Sequence, residues 1–304
     1  MTSGDADRTD LKGMTLPELE AFLARGGKER YRARQLFRWI YQKHAVDFAA
    51  MTDLSKELRG ILAGSCRVSG FPAERVETSA EIVQQACFAE KRLAGRGERL
   101  SNIVFMGMGE PLLNVPDVSR TIGILLSQFG FGISGKRVTV STAGIVPEML
   151  ALAQAYPVSF AVSINAARDD LRSRLMPINR KYPLKEVVAA MRRIPLQTGR
   201  KVTAEYVLMA GVNDSIEDAL ALSRLFRGAR IKVNLIPYNT HKASPYRAPE
   251  ADAVDRFRNV LIAGGIQTIT RERRGADIRA ACGQLRTAAG GSGGVAAGGG
   301  GAVR

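Results

Sequence analysis

Residues 137–165 read RVTVSTAGIVPEMLALAQAYPVSFAVSIN, and this stretch decides the fold class. Arg137 to Ser141 and Val158 to Ile164 are short apolar runs of strand character. The segment between them, 146–155, spaces its apolar residues as a helix does. Strand, helix and strand in under thirty residues form a βαβ unit, whose two strands lie parallel and whose crossover is right-handed.

The same alternation extends in both directions. Further strand-like runs are Asn102 to Met108, Val202 to Met209, Ile231 to Ile236 and Ile266 to Thr270. Helices are expected near 116–128, 184–194, 216–227, 251–263 and 276–285. Repeated βα units wind into an open sheet or a barrel, and such folds place their chemistry at the carboxyl ends of the strands. Toward the N-terminus the period changes. From Thr15 to about Leu62 apolar residues recur at helical spacing, with Leu36, Phe37 and Ile40 on one side of a segment that carries Arg34 and Arg38 on another. That basic face suits either solvent or RNA phosphates. The expected organisation is a disordered segment over 1–14, a helical RNA-binding-like module over 15–65, a βα-repeat domain over 66–286, and a disordered Gly/Ala-rich tail over 287–304.

Composition narrows the functional classes. The 304 residues include 44 Lys+Arg against 29 Asp+Glu, a net charge of +15, with 45% hydrophobic residues. Residues 1–60 account for only +2 of this, so the surplus belongs to the later part and points to a polyanionic partner. No run of about 18 apolar residues occurs, so neither a membrane span nor a signal peptide is expected, and the chain reads as cytoplasmic. Cys66, Cys87 and Cys282 are odd in number and far apart, which argues against a disulfide framework and leaves no CxxC pair for a metal.

The strand ends carry the candidate site. Met106-Gly107-Met108-Gly109-Glu110-Pro111 lets the backbone pass close to a ligand while offering carbonyls and one carboxylate. It lacks the Lys that a phosphate loop would need and so suits an ammonium group, or serves only as a tight turn. The next strands end in Ser141-Thr142-Ala143-Gly144 and Ser163-Ile164-Asn165-Ala166, and a later one in Pro237-Tyr238-Asn239. Each Ser or Asn alone could be a helix cap; in succession they form a constellation. Near the C-terminus, Cys282 follows a Gly-Ala-Asp turn with arginines nearby that favour a thiolate, although a lone Cys in a helix is commonly a small buried hydrophobe.

Five segments in order, MGMGEPLLN (106–114), RVTVSTAG (137–144), MPINRKYPL (176–184), NLIPYN (234–239) and RGADIRAACGQL (274–285), closely resemble the RlmN/Cfr family. These are radical S-adenosylmethionine (SAM) methyltransferases that act on adenine carbons of 23S ribosomal RNA, and in part on transfer RNA. The resemblance implies a radical-SAM-type (β/α) barrel with a small all-helical N-terminal domain, 23S rRNA and possibly tRNA as partners, and a monomer. It implies SAM contacts at Gly109, Glu110, Ser141, Ser163, Ile164, Asn165 and Asn239, with Asn165 standing where many members have His. It makes Cys282 the cysteine that accepts a methyl group from one SAM before passing it on.

The family also implies a [4Fe–4S] cluster held by CxxxCxxC after the first barrel strand, three thiolates leaving one iron free for SAM. No CxxxCxxC occurs in this chain, and Leu62 is followed almost at once by Cys66 and Gly70-Phe71. The expected fold is therefore a partial barrel lacking its first strand and cluster loop. The chain reads either as a methyltransferase by descent that transfers methyl to adenine C2, or as a cluster-free, inactive RNA- or SAM-binding remnant or internally deleted product.

Overall fold

The strands alternate apolar and polar residues, so one face of the sheet must be covered by helices and the other left to something polar. The computed structural model describes residues 8–43, 45, 47–68, 78–106, 109–240 and 244–271, and shows this division.

The N-terminal part consists of β1 (Thr9–Asp10), α1 (Leu16–Arg25), α2 (Arg30–Tyr41), α3 (Lys56–Ser65), β2 (Cys66–Arg67) and α4 (Ser79–Ala94). The start of α1 is set by its sequence: Thr15 accepts from the Glu18 amide, and the Glu18 carboxylate accepts from the Thr15 amide at 2.8 Å. Leu19, Leu23, Leu36, Phe37, Ile40, Tyr41, Leu58 and Leu62 form a core that also takes Val83 and Cys87 of α4. The expected disorder over residues 1–14 does not hold from Arg8 onward. β1 pairs in parallel with β2, and Leu11 is fully buried, because an apolar residue beside a short ladder is worth more inside than in water.

Tyr41 fastens this segment. Its hydroxyl accepts from the buried Gly13 amide at 3.0 Å and donates to the Met14 carbonyl at 3.5 Å.

The second part alternates β3 (Ile103–Phe105), α5 (Val115–Leu126), β4 (Val138–Thr142), α6 (Val146–Ala155), β5 (Ser159–Ser163), α7 (Asp169–Leu175), α8 (Leu184–Arg193), β6 (Val202–Leu208), α9 (Ile216–Phe226), β7 (Ile231–Pro237), α10 (Ala251–Ala263) and β8 (Thr268–Thr270). The six strands pair in chain order and all in parallel, β3-β4-β5-β6-β7-β8. Val138, Val140, Phe160, Val162, Val202, Ala204, Tyr206, Leu208, Val233 and Leu235 pack with the helices into one core. Ser141, Ser163, Thr203, Glu205 and Asn234, at the alternate positions, face the other way. This is the expected α/β arrangement of parallel βα units, open at both edges among the described residues. β3 is short, and its Val104 is 49% exposed at the edge where an earlier strand would pair. The expected helix at 276–285 and the tail over 287–304 lie outside the described residues.

Removing the Tyr41 hydroxyl strands the Gly13 N–H. Tyr41→Phe is expected to cost about 1–3 kcal/mol of stability, read as an earlier urea midpoint with an unchanged slope.

Candidate functional site at the strand ends

The loops after β3, β4 and β5 are not independent. Arg172 on α7 is fully buried, and its guanidinium donates from Nε to the Ile164 carbonyl (3.1 Å), from Nη1 to Asn179 Oδ1 (2.8 Å) and the Tyr182 carbonyl (3.4 Å), and from Nη2 to the Ala143 and Ser163 carbonyls (2.9 and 3.0 Å). One planar fork thus ties the end of β4, the end of β5 and the 176–182 segment. Burial pulls its pKa down to about 10, which still leaves it charged at neutral pH, with Asp169 nearby opposing the shift. Asn179 is itself held by the Asp169 carboxylate (2.9 Å) and Ser173 (2.8 Å).

Glu110 joins the β3 loop to this frame. One carboxylate oxygen accepts from the Leu112 amide at 3.1 Å, capping the short turn Pro111–Leu113, and the other accepts from the Ala143 amide at 2.7 Å. The Ala143 residue is therefore gripped on both sides, its N–H by Glu110 and its C=O by Arg172. Gly144 follows with φ +99°, and a Cβ there would meet Val187 at 3.1 Å, so only glycine turns the chain here without strain.

The predicted site residues fall as follows. Gly109, Glu110, Ser141, Ser163 and Ile164 converge at the carboxyl ends of adjacent strands. Gly109 has φ +120° with open space where a Cβ would stand, so a ligand can approach its backbone. Ile164 buries its side chain, donates its N–H to the Glu205 carbonyl at 2.9 Å and gives its C=O to Arg172, which leaves its role to the backbone. Asn165 is in the left-handed region (φ +56°), and its amide is engaged within the protein: Oδ1 accepts from the Val207 amide at 2.9 Å and Nδ2 donates to Met176 Sδ at 3.2 Å. Asn165 thus works mainly as a clasp between β5 and β6. Asn239 is half-buried, two residues past β7. Cys282 lies outside the described residues.

Sequence reasoning missed two residues. Arg172 carried no signal, because an arginine in Asp-Asp-Leu-Arg-Ser-Arg reads as a solvated helix face. Glu205 did carry one: a carboxylate inside the apolar run Val-Thr-Ala-Glu-Tyr-Val-Leu at 202–208 demands partners. It is 7% exposed on β6, accepts from Ser141 Oγ at 3.2 Å and from the Asn234 side chain, and feels the charge of Arg271. Burial pushes its carboxyl above the usual range, while those three groups pull it back.

The donor set does not fit an iron–sulfur cluster. The chain has three cysteines, and Cys66 and Cys87 both sit in the helical core rather than at the strand ends. Burial raises both thiols, Cys87 to about 11, the opposite of what a thiolate ligand needs. Among the described residues no three His, Cys, Asp or Glu side chains group as metal ligands.

Arg172→Met is expected to destabilise the fold by about 3–5 kcal/mol, lowering the melting temperature by ~10 °C, since it leaves buried carbonyls unpaired. Arg172→Lys should recover only part of this, because an ammonium cannot span the fork.

Two family models match the chain: the ribosomal RNA large subunit methyltransferase N-terminal domain over residues 9–68 and the radical SAM superfamily over residues 66–223. The dual-specificity RNA methyltransferase RlmN of Geobacter sulfurreducens is 43% identical, with 91% of this chain and 92% of that protein covered. The RlmN of Geotalea uraniireducens is 40% identical, with 92% and 97% covered. The crystal structure of a radical SAM methyltransferase from Sphaerobacter thermophilus superposes with a TM-score of 0.81 at 39% identity, covering 91% of this chain and 98% of the other. The Geobacter alignment runs over 335 positions, whereas 91% of 304 residues is about 277, so about 58 positions of it face gaps in this chain.

Proposed function

The chain belongs to the RlmN family of radical SAM methyltransferases, and from that premise we propose that it binds SAM across the carboxyl ends of β3, β4, β5 and β7 and directs methylation chemistry at RNA. The observation that carries this reading is the convergence of Glu110, Ser163 and Ile164 on the Arg172 frame, with Ser141 at the end of the neighbouring strand β4. The Gly109–Glu110 turn suits the amino-acid end of the ligand, and the Ser141, Ser163 and Asn239 side chains suit its ribose and base. When bound, SAM supplies an electrophilic methyl group on a sulfonium. Cys282, as thiolate, takes that methyl by displacement: an S–C bond forms on the cysteine, the sulfonium–CH₃ bond breaks, and the electron pair leaves with neutral S-adenosylhomocysteine. Cys282 is thereby the methyl-bearing residue of the family reaction, whose end point is adenine C2 of 23S rRNA and of tRNA.

The helical module supports an RNA partner. Arg34 and Arg38 are exposed on α2 and both stack on the Phe129 ring, 5.2 Å from its centroid, which holds two guanidinium groups side by side for phosphates. Among the described residues no helix is long and apolar enough to cross a membrane. We place the protein in the cytoplasm as a monomer.

A second reading is favoured by the cysteines. Moving a methyl from Cys282 to a ring carbon belongs to the cluster-dependent half of the family reaction, and the chain's thiols do not fit that cluster. On this reading the protein is a cluster-free SAM- and RNA-binding descendant of an internally longer enzyme.

Anaerobic reconstitution with iron and sulfide, followed by iron counting and mass spectrometry after incubation with SAM, separates the two. SAM binding without cluster formation is the expected result, with a mass gain of one methylene on Cys282 if the thiol half-reaction survives. About four irons per chain with reductive cleavage of SAM overturns the cluster-free reading. For the RNA partner, Arg34→Ala with Arg38→Ala is expected to weaken binding of a 23S rRNA fragment across all sequences. The slope of log K against log salt should flatten by about 1–2, as two phosphate contacts require.

A further inference from the structure

Glu205 is the buried acid on the uncovered face of the sheet. In register it lies between Ser163 of β5 and Asn234 of β7. It accepts the hydroxyl proton of Ser141 at 3.2 Å across β5. Two proposed ligand contacts therefore flank one carboxylate, and neither the family motifs nor the cysteine chemistry uses it.

A carboxylate placed there is expensive unless it does something. The strand positions on either side of it, Ala204 and Tyr206, are fully turned into the helix-covered core, and an apolar residue at 205 would fill the same face at lower cost. The donors around it favour its ionised form: the Ser141 hydroxyl, the Asn234 side chain and, at longer range, the Arg271 guanidinium. Ser141 also spends its only proton on Glu205, which leaves its oxygen as an acceptor toward the ligand space. Burial opposes the ionised form, and these three groups offset it around a carboxylate that is 7% exposed and so little screened by water.

We propose that Glu205 is a specificity residue that makes this site prefer a cationic sulfonium ligand over its neutral thioether product. The proposal rests on the SAM-binding reading above. Its physical content is simple: SAM and S-adenosylhomocysteine share every group that Gly109, Glu110, Ser163 and Asn239 could recognise, and differ in one methyl and one positive charge at sulfur. A fixed negative charge beside the ligand distinguishes them without touching either, and it helps the spent product to leave.

The test is the ratio of dissociation constants of S-adenosylhomocysteine and SAM, measured by titration calorimetry on the full chain without RNA or iron. Wild-type protein should bind SAM the more tightly. Glu205→Gln keeps the shape and the acceptor for Ser141 but removes the charge, and is expected to shrink the ratio roughly ten-fold, chiefly by weakening SAM. Glu205→Asp, which keeps the charge, should retain the preference. An unchanged ratio in Glu205→Gln overturns the proposal, as does a wild-type protein that binds both ligands equally, a result that needs no variant to fold. Binding of neither ligand to wild type would instead overturn the SAM-binding reading itself.

Discussion

Five hydrogen bonds from one buried guanidinium organise the functional end of this molecule. Arg172 reaches across from a seven-residue helix to carbonyls at the ends of two strands and to the segment that follows it. Carbonyls at the ends of parallel strands point out of the ladder and must find donors. A single side chain with five N–H groups in one plane satisfies three of them, the Tyr182 carbonyl and an Asn179 oxygen at once. The strand-end loops thereby gain one shared geometry. Glu110 extends that geometry to the loop after β3 through the Ala143 amide, so the turn at Gly109 and the two serine-bearing strands are tied together.

Behind this frame lies a second layer of polar contacts that closes β5 onto β6. Asn165 gives its side-chain oxygen to the Val207 amide, and Asn213 donates to the Asn165 and Val207 carbonyls at 2.8 and 2.7 Å while accepting from the Met209 amide. Such bonds continue the sheet where backbone pairing stops. They also explain why an asparagine with φ +56° is tolerated there: its short amide repays the local strain with two contacts, and Asn accepts the left-handed region better than most residues.

The cysteines divide the family's chemistry. Cys66 and Cys87 are small hydrophobes in the helical core, and the same burial that makes them useful for packing raises the pKa of both thiols. A cluster needs three thiolates on one exposed loop. Against the Geobacter relative nearly sixty aligned positions face gaps in this chain, and Val104 on the edge strand β3 is half-exposed. The remaining sheet still folds around its own core because each βα unit buries its apolar face against its immediate neighbours, in chain order.

Much of this was legible in the residues themselves. Alternation with period two and helical spacing of 3.6 are local properties, so the six strands and the helices between them could be located to within a few positions, and the paired glycines with Glu110 and the serines at strand ends marked a candidate site. The α7 helix and Arg172 were not legible, since a buried arginine and a surface arginine are the same letter; the difference is which carbonyls surround it. The same holds for Ser141 and Glu205, 64 residues apart in sequence and hydrogen-bonded only because β4 and β6 stand one strand apart. Local periodicity determined the elements and motif order determined the family. Which polar groups meet was decided only by the parallel register that brings distant strands side by side.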